Sequence, residues 1–240
     1  MRLVFIDECG DANKKDYLGL SIASVDSRYY PLLKRSAQSV LLKIGWEAQT
    51  EFKGSYLFSV SKGCPSVSVE DRVAAAMSLL DLNTSEKNSR MHFTYGRLRS
   101  TKQGEDYLRR LPGLLHRGLR VAPMGAGKDL VAITCDERSD VNRRALHSAL
   151  APVVAAKGYV LHESVTFAQS SFDTIGLMFA DLVGYLAARV DLLSADAQLF
   201  EGLSPEELAK DGQCRKFTAS RKLLDKVKKL TLYTCRDMDE

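Results

Sequence analysis

Hydrophobic positions along the chain fall into two rhythms, short alternating or continuous runs and longer stretches with a period near 3.6 residues. Leu3 to Asp7 and Tyr17 to Ser24 have strand character, and the polar segment Gly10 to Asp16 between them predicts an antiparallel hairpin with a longer loop. A helix follows, with Pro31 in its first turn, apolar spacing through Leu32, Leu33, Ser36, Ala37, Val40, Leu41 and Ile44, and a stop at Gly45. "EFKGSYLF", from Glu51, reads as extended. Ser68 and Asp71 form a capping box for a helix with Val73, Ala76, Met77 and Leu80 on its apolar stripe, ended by "NTSEKNS".

The second half repeats the alternation. Thr101 to Arg117 predicts a helix that Pro112 and Gly113 should kink or split. "LVAITCD", Leu130 to Asp136, is an apolar strand ending in an acid. Asp140 is the expected cap of a helix that turns Ala145, Leu146, Ala149, Leu150 and Val153 inward, after which "YVLHESVTFA" resumes strand character. Asp173 is the expected cap of a helix to about Arg189, "SPEE" at Ser204 starts a short one, and a basic amphipathic helix runs from about Thr218 to Leu230. Helices interleaved with a hairpin and later strands predict an α/β fold, a mixed central β-sheet flanked by α-helices. There is no internal repeat or low-complexity tract.

Composition adds bounds rather than a function. With 240 residues and 45% hydrophobic content, one domain with a sizeable core is expected. A net charge of +4 is a mild lean towards polyanions and decides little. The five cysteines are widely separated, with no Cys-x-x-Cys pair, which fits a reducing cytoplasm. Asp7 and Glu8 cut the first apolar run too short for a signal peptide, and Asp181 interrupts the run from Ile175 to Val190, so no targeting or membrane-spanning segment is expected.

Acids at the ends of strands are the first chemical clue. Two strands finish in Asp7 and Asp136, and ligands collect at the carboxyl ends of strands in open α/β sheets. Either one alone reads more simply as a turn starter or helix cap, and the two together are more informative. Asp181 is sharper, since its helical neighbours Leu177, Met178, Gly184 and Tyr185 predict a buried face. A bare carboxylate there loses several kcal/mol of solvation unless compensated by an arginine (Arg138, Arg143 or Arg189) or by a metal. Gly184 leaves room for another element to approach. In "EFK", Glu51 and Lys53 share one face of an extended segment, which is a surface ion pair on its own terms.

Taken in order, "DECG" at Asp7, "EFK" at Glu51, "TCD" at Asp136 and "LMFAD" at Asp181 resemble a widespread bacterial domain family of unknown function, the DUF3800 type, assigned to the RNase H-like superfamily. That family opens with Asp-Glu-Ser-Gly. The resemblance runs from about Leu3 to Arg189, with Cys9 where serine is usual and Met178 where glutamine is usual. It implies an RNase H-like fold, so the chain reads as one such domain over residues 1–240, with a basic helical extension from about residue 204 that the resemblance leaves uncovered. It also implies that Asp7, Glu51, Asp136 and Asp181 converge on Mg²⁺ or Mn²⁺, two ions bridged by Asp7, with Lys53 neutralising a phosphate oxygen. Crowded carboxylates ionise together only beside a hard, oxygen-loving cation. Glu8, on the other side of its strand, is expected to be structural, and Arg138 either a phosphate contact or a counter-ion.

A nucleic-acid substrate also needs a basic surface. "RMHFTYGRLRSTK" mixes Arg90, Arg97, Arg99 and Lys102 with His92, Phe93 and Tyr95, which reads either as a phosphate-and-base grip or as core aromatics beside a solvated loop. The last helix turns Arg221, Lys222, Lys226, Lys228 and Lys229 outward. "GAGK" at Gly125 is not a P-loop, because Ala122 and Asp129 stand where glycine and Ser or Thr belong. The four histidines lack paired ligand spacing and there is no Gly-x-Ser-x-Gly elbow.

The expectation is a cytoplasmic, divalent-metal-dependent nuclease hydrolysing phosphodiester bonds in RNA or DNA, with nucleic acid as its partner and a protein partner or homo-oligomer left open. The alternatives are a degenerate RNase H-like nucleic-acid-binding or adaptor protein in a mobile-element or phage-defence system, and a polynucleotidyl transferase on the same scaffold.

Overall fold

The computed structural model describes residues 1–11, 14–59, 61–83, 91–99, 103–122, 129–195, 212–229 and 233–237. "GAGK", "SPEE", Arg90 and Lys102 lie outside them, as do the side chains of Arg99, Lys228 and Lys229. The strands are β1 (Arg2–Asp11), β2 (Lys14–Asp26), β3 (His92–Arg99), β4 (Asp129–Asp136), β5 (Tyr159–Leu161), β6 (Thr166–Ala168) and β7 (Tyr233–Asp237). They form one sheet in the order β5-β4-β1-β2-β3-β7, with β6 also on β4. β1, β2 and β3 are antiparallel neighbours, whereas β4 runs parallel to β1 and β5, and β7 parallel to β3. The α/β class with a mixed central sheet is therefore the one that forms.

Helices cover both faces: α1 (Tyr30–Lys43), α2 (Val69–Asp81), α3 (Gln103–Gly118), α4 (Arg143–Ala156), α5 (Ile175–Ala195) and α6 (Gly212–Lys229). Alternation along the strands divides the core accordingly. Val4, Ile6, Leu20, Ile22, Val131, Ile133 and Cys135 pack against Tyr107, Leu111, Leu146 and Leu150 of α3 and α4. Phe5, Cys9, Ala23, Phe93 and Tyr95 face the opposite way, towards α1, α2, α5 and α6. Because the period is two, Asp7 shares the α5 face with Phe5, and Glu8 shares the α3 face with Ile6.

Several local expectations hold and others shift. Pro31 lies in the first turn of α1, and Gly45, at φ 76°, supplies the left-handed residue that ends it. Ser68 Oγ accepts from the Asp71 amide at 3.0 Å, as a cap should. The expected caps of α4 and α5 move: Asn142, not Asp140, accepts from the Ala145 amide, and Asp173 instead pairs with Lys34. The β1–β2 ladder continues to Asp11 and Lys14 past a register shift between Cys9 and Asp11, because backbone pairing needs no apolar side chains. α3 stays one helix through Pro112, its buried face of Tyr107, Leu111, Leu114 and Leu115 outweighing the lost backbone bond. "YVLHESVTFA" splits into β5 and β6 at Glu163, a non-glycine residue with φ 54°.

Candidate active site

Each acid reaches the site through a different element. β1 and β4 are parallel neighbours, with Ile6 opposite Cys135, so register alone sets Asp7 beside Asp136. Asp7 is 7% exposed, and its Oδ1 accepts from the Glu8 amide at 2.7 Å. Asp136 Oδ1 accepts from the Ser170 amide at 3.3 Å.

Asp181 comes from α5, a helix buried nearly all round through Leu177, Phe179, Ala180, Leu182 and Val183. It rests directly on the sheet because Gly184 takes the place of a side chain. A Cβ there would stand 2.9 Å from both Cys9 Sγ and Ser21 Cβ. Protein crowds Asp181 from most sides although part of the residue still meets solvent.

The fourth acid is carried by a limb outside the sheet. Trp46 Nε1 donates to the Thr50 carbonyl at 2.8 Å, and the Trp46 and Phe52 rings meet edge to face at 4.9 Å. With Phe52 buried, its neighbours Glu51 and Lys53 turn to the other side and pair at 3.0 Å. The extended reading of "EFK" holds for the backbone, at φ −98° and ψ 143° for Lys53, but the segment joins no strand and passes into a 3-10 turn, Gly54–Tyr56. The Gly54 amide donates to Asp181 Oδ2, and a Cβ on Gly54 would collide with Tyr185 one helical turn on. Backbone contacts of this kind leave no signature in a sequence beyond the glycine itself.

Electrostatics ties the five groups together. Burial, then the negative charges of Asp181 and Asp136, push the Asp7 carboxyl well above its ordinary range, with Lys53 opposing. Burial also raises Asp181, to about 6, against the Gly54 hydrogen bond and with Glu51 and Asp136 adding repulsion. Burial disfavours the Lys53 ammonium, yet the hydrogen bond it donates to Glu51 and the nearby acids outweigh it and raise its pKa. Net acid excess is the character of the site: four carboxylates share one lysine. That donor set suits a hard divalent cation. Among the described residues no group of three or more His, Cys, Asp or Glu side chains is placed to hold a metal ion.

The arginines offered as counter-ions for Asp181 are engaged elsewhere. Arg138 pairs with Glu8 and, in bidentate fashion at 2.7 Å, with Asp140, and it lies 4.4 Å above the Tyr107 ring on the far side of the sheet. Arg143 lies over Phe167 and Arg189 over Tyr185. Of the basic-aromatic segment, Phe93 and Tyr95 belong to the core of β3. Arg221 and Lys222 are exposed on α6, while Lys226 pairs with Asp81.

Sequence reasoning missed Arg72. This α2 residue is 1% exposed and donates to five backbone carbonyls, those of Tyr56, Ser59, Lys62, Cys64 and Val67, with Trp46 5.7 Å beneath. It knots the loop that follows Gly54. Neither an arginine nor a set of carbonyls announces such a role beforehand.

No protein-family model matches the chain, and no curated protein matches it. Among solved structures, ribonuclease H2 from Pyrococcus horikoshii OT3 is similar at 13% identity over 95% of this chain and 100% of that one, with a TM-score of 0.47. The structure of the PCNA:RNase HII complex from Archaeoglobus fulgidus is similar at 11% identity over 94% of this chain and 91% of that one, with a TM-score of 0.42. No helix among the described residues is long and apolar enough to cross a membrane.

Proposed function

We propose that the chain is a member of the DUF3800-type RNase H-like family and a divalent-metal-dependent nuclease, hydrolysing phosphodiester bonds in RNA or DNA. The observation that carries this reading is the convergence of Asp7, Glu51, Asp136 and Asp181 from four separate elements around one lysine, with Asp7 and Asp181 held against ionisation. Asp7, Glu51, Asp136 and Asp181 would hold Mg²⁺ or Mn²⁺. Bound there, the cations supply the positive field that makes water a nucleophile at neutral pH and stabilises the leaving oxygen.

The chain's own residues do the rest. The Gly54 amide fixes the orientation of Asp181, and the burial of Asp7 keeps most water from its carboxyl, with Asp181 and Asp136 as its main acidic neighbours. Lys53, on the half-exposed rim, remains protonated and can neutralise a phosphate oxygen. Labelled RNA, DNA and hybrid duplexes incubated with Mn²⁺ or with EDTA test the reading. Cleavage only with Mn²⁺, abolished by Asp7→Asn and by Asp181→Asn in folded protein, is the expected result; undiminished cleavage by either variant refutes it.

A second reading, a degenerate nucleic-acid-binding or adaptor protein, draws on the lack of a ready-formed metal-holding group among the described residues. Titration calorimetry separates the two, since failure to bind Mg²⁺ or Mn²⁺ favours the adaptor.

A further inference from the structure

The loop after β4 leads away from Asp136 into α4, and at that end of the helix a cleft of about 530 Å³ opens on the face of the sheet opposite Asp7. Its described lining is Asn142, Arg143, Arg144, His147 and Ser164, two cations and a histidine with no acid. Both arginines are exposed, and they occupy the first turn of α4, where the helix dipole favours acids and disfavours cations. Local helix physics therefore argues against them, and a bound anion would reverse the sign.

Two further features belong to the cleft. His147, one turn along α4 from Arg143, has a buried Nδ1 with no hydrogen-bond partner among the described residues. Arg143 lies 5.7 Å from the centre of the Phe167 ring, which braces the guanidinium by its flat face and leaves its edge free to donate. Phe167 is the register partner of Cys135, the residue before Asp136. A second hollow of about 400 Å³ shares His147 and extends along Gly158–Leu161 at the sheet edge.

We propose that this cleft binds backbone phosphates of a nucleic-acid strand that rounds the β5–β6 edge of the sheet on its way to or from the carboxylate cluster. The strand as ligand rests on the nuclease reading; the anion site itself rests on the cleft. Asp136 lies on β4, next to β6. One strand spacing plus the depth of a packed layer separates the two places by ~10–15 Å. At ~3.4 Å of rise per nucleotide, this is a span of about three or four nucleotides. Arg143 and Arg144 make the phosphate contacts, and the exposed Asn142 and Ser164 on the same lining can add hydrogen bonds.

The test is fluorescence anisotropy of a labelled oligonucleotide of about 12 residues, in EDTA so that nothing is cleaved, across a salt series. R143Q/R144Q is compared with wild type and with R35Q/K43Q, which removes the same charge from exposed positions of α1. The expected result is a roughly 10-fold or greater loss of affinity and a salt slope smaller by about 1.4 for R143Q/R144Q alone, two phosphates at ~0.7 each for a single strand. Circular dichroism confirms that the variants are folded.

Equal affinity and slope for wild type and R143Q/R144Q overturn the proposal, as does a wild type that binds no oligonucleotide. Inorganic phosphate displacing the oligonucleotide at matched phosphate concentration also overturns it, since it would mean a small-anion site. Binding that depends on Arg143 and Arg144 in a protein that cuts nothing sustains this inference and sinks the nuclease reading. Cleavage with unchanged binding by R143Q/R144Q does the reverse.

Discussion

Without divalent cation, this protein should become more heat-stable on mild acidification, and Asp181 sets the size of the effect. Its carboxyl has an ordinary value of 3.8 and rises to about 6 in the fold. A raised carboxylate favours the folded state fully below its unfolded value and loses that contribution as pH rises through the folded one. From pH 6 down to 4.5 spans about 1.5 units at ~1.4 kcal/mol each, so lowering the pH from 7.5 to 4.5 should stabilise the fold by about 2 kcal/mol. Asp7 is raised as well and acts with the same sign.

Carboxylates with lowered values act oppositely but at lower pH. Asp26, drawn down to about 2 by Arg28, retains nearly all its contribution at pH 4.5. For a chain of this length ~2 kcal/mol is worth about 4–8 °C in Tm. Differential scanning fluorimetry in EDTA should show that rise in wild type, relative to Asp181→Asn, whose amide does not titrate; histidine protonation is common to both. MgCl2 at about a hundredfold over Kd should then stabilise wild type at pH 7.5 by ~2.7 kcal/mol, and much less at pH 4.5, where protons compete. Identical pH profiles for wild type and Asp181→Asn would refute the account of a carboxylate held against ionisation.

Three other perturbations probe the scaffold. Arg72→Met should cost about 3–5 kcal/mol, because it strips five carbonyls of their buried donor, and chemical denaturation should show a shifted midpoint. A loss under 1 kcal/mol would mean that water replaces the guanidinium. Gly184→Ala should destabilise by about 1–3 kcal/mol, its Cβ meeting Cys9 and Ser21 at 2.9 Å, and it should weaken Mg²⁺ affinity as α5 lifts from the sheet, measurable by calorimetry. Lys53→Gln should lower kcat/KM by about 100-fold with little change in Tm, and Lys53→Arg should restore part of the activity.

Asp136 was legible because its strand does end in that acid; Asp7 was expected at a strand end but lies inside β1, which runs on to Asp11, and it is the parallel register of Ile6 with Cys135 that sets it beside Asp136. Asp181 was legible for another reason: a lone carboxylate on an otherwise apolar helix has to be compensated. Alternation pairs Glu51 with Lys53 but does not attach them to the site, which only the family resemblance did; the attachment itself runs through the Gly54 amide and the close fit of Gly54 to Tyr185. The strand β3 was obscured by its own arginines, which mark it as a basic loop until Phe93 and Tyr95 are seen packed beneath. β7 follows a helix whose charge drew attention to solvent, and its pairing partner lies well over a hundred residues earlier, beyond any local pattern.

Pairing of β7 with β3 has a consequence for handling the protein. From Phe93 to Arg97, β3 is sealed by Tyr233 to Asp237. A version shortened before Tyr233 would expose a row of unsatisfied amides and carbonyls alongside aromatic residues, and such a raw margin recruits strands from other molecules. Shortened proteins of this kind should form aggregates during expression, so a soluble fragment needs its cut placed beyond this last strand.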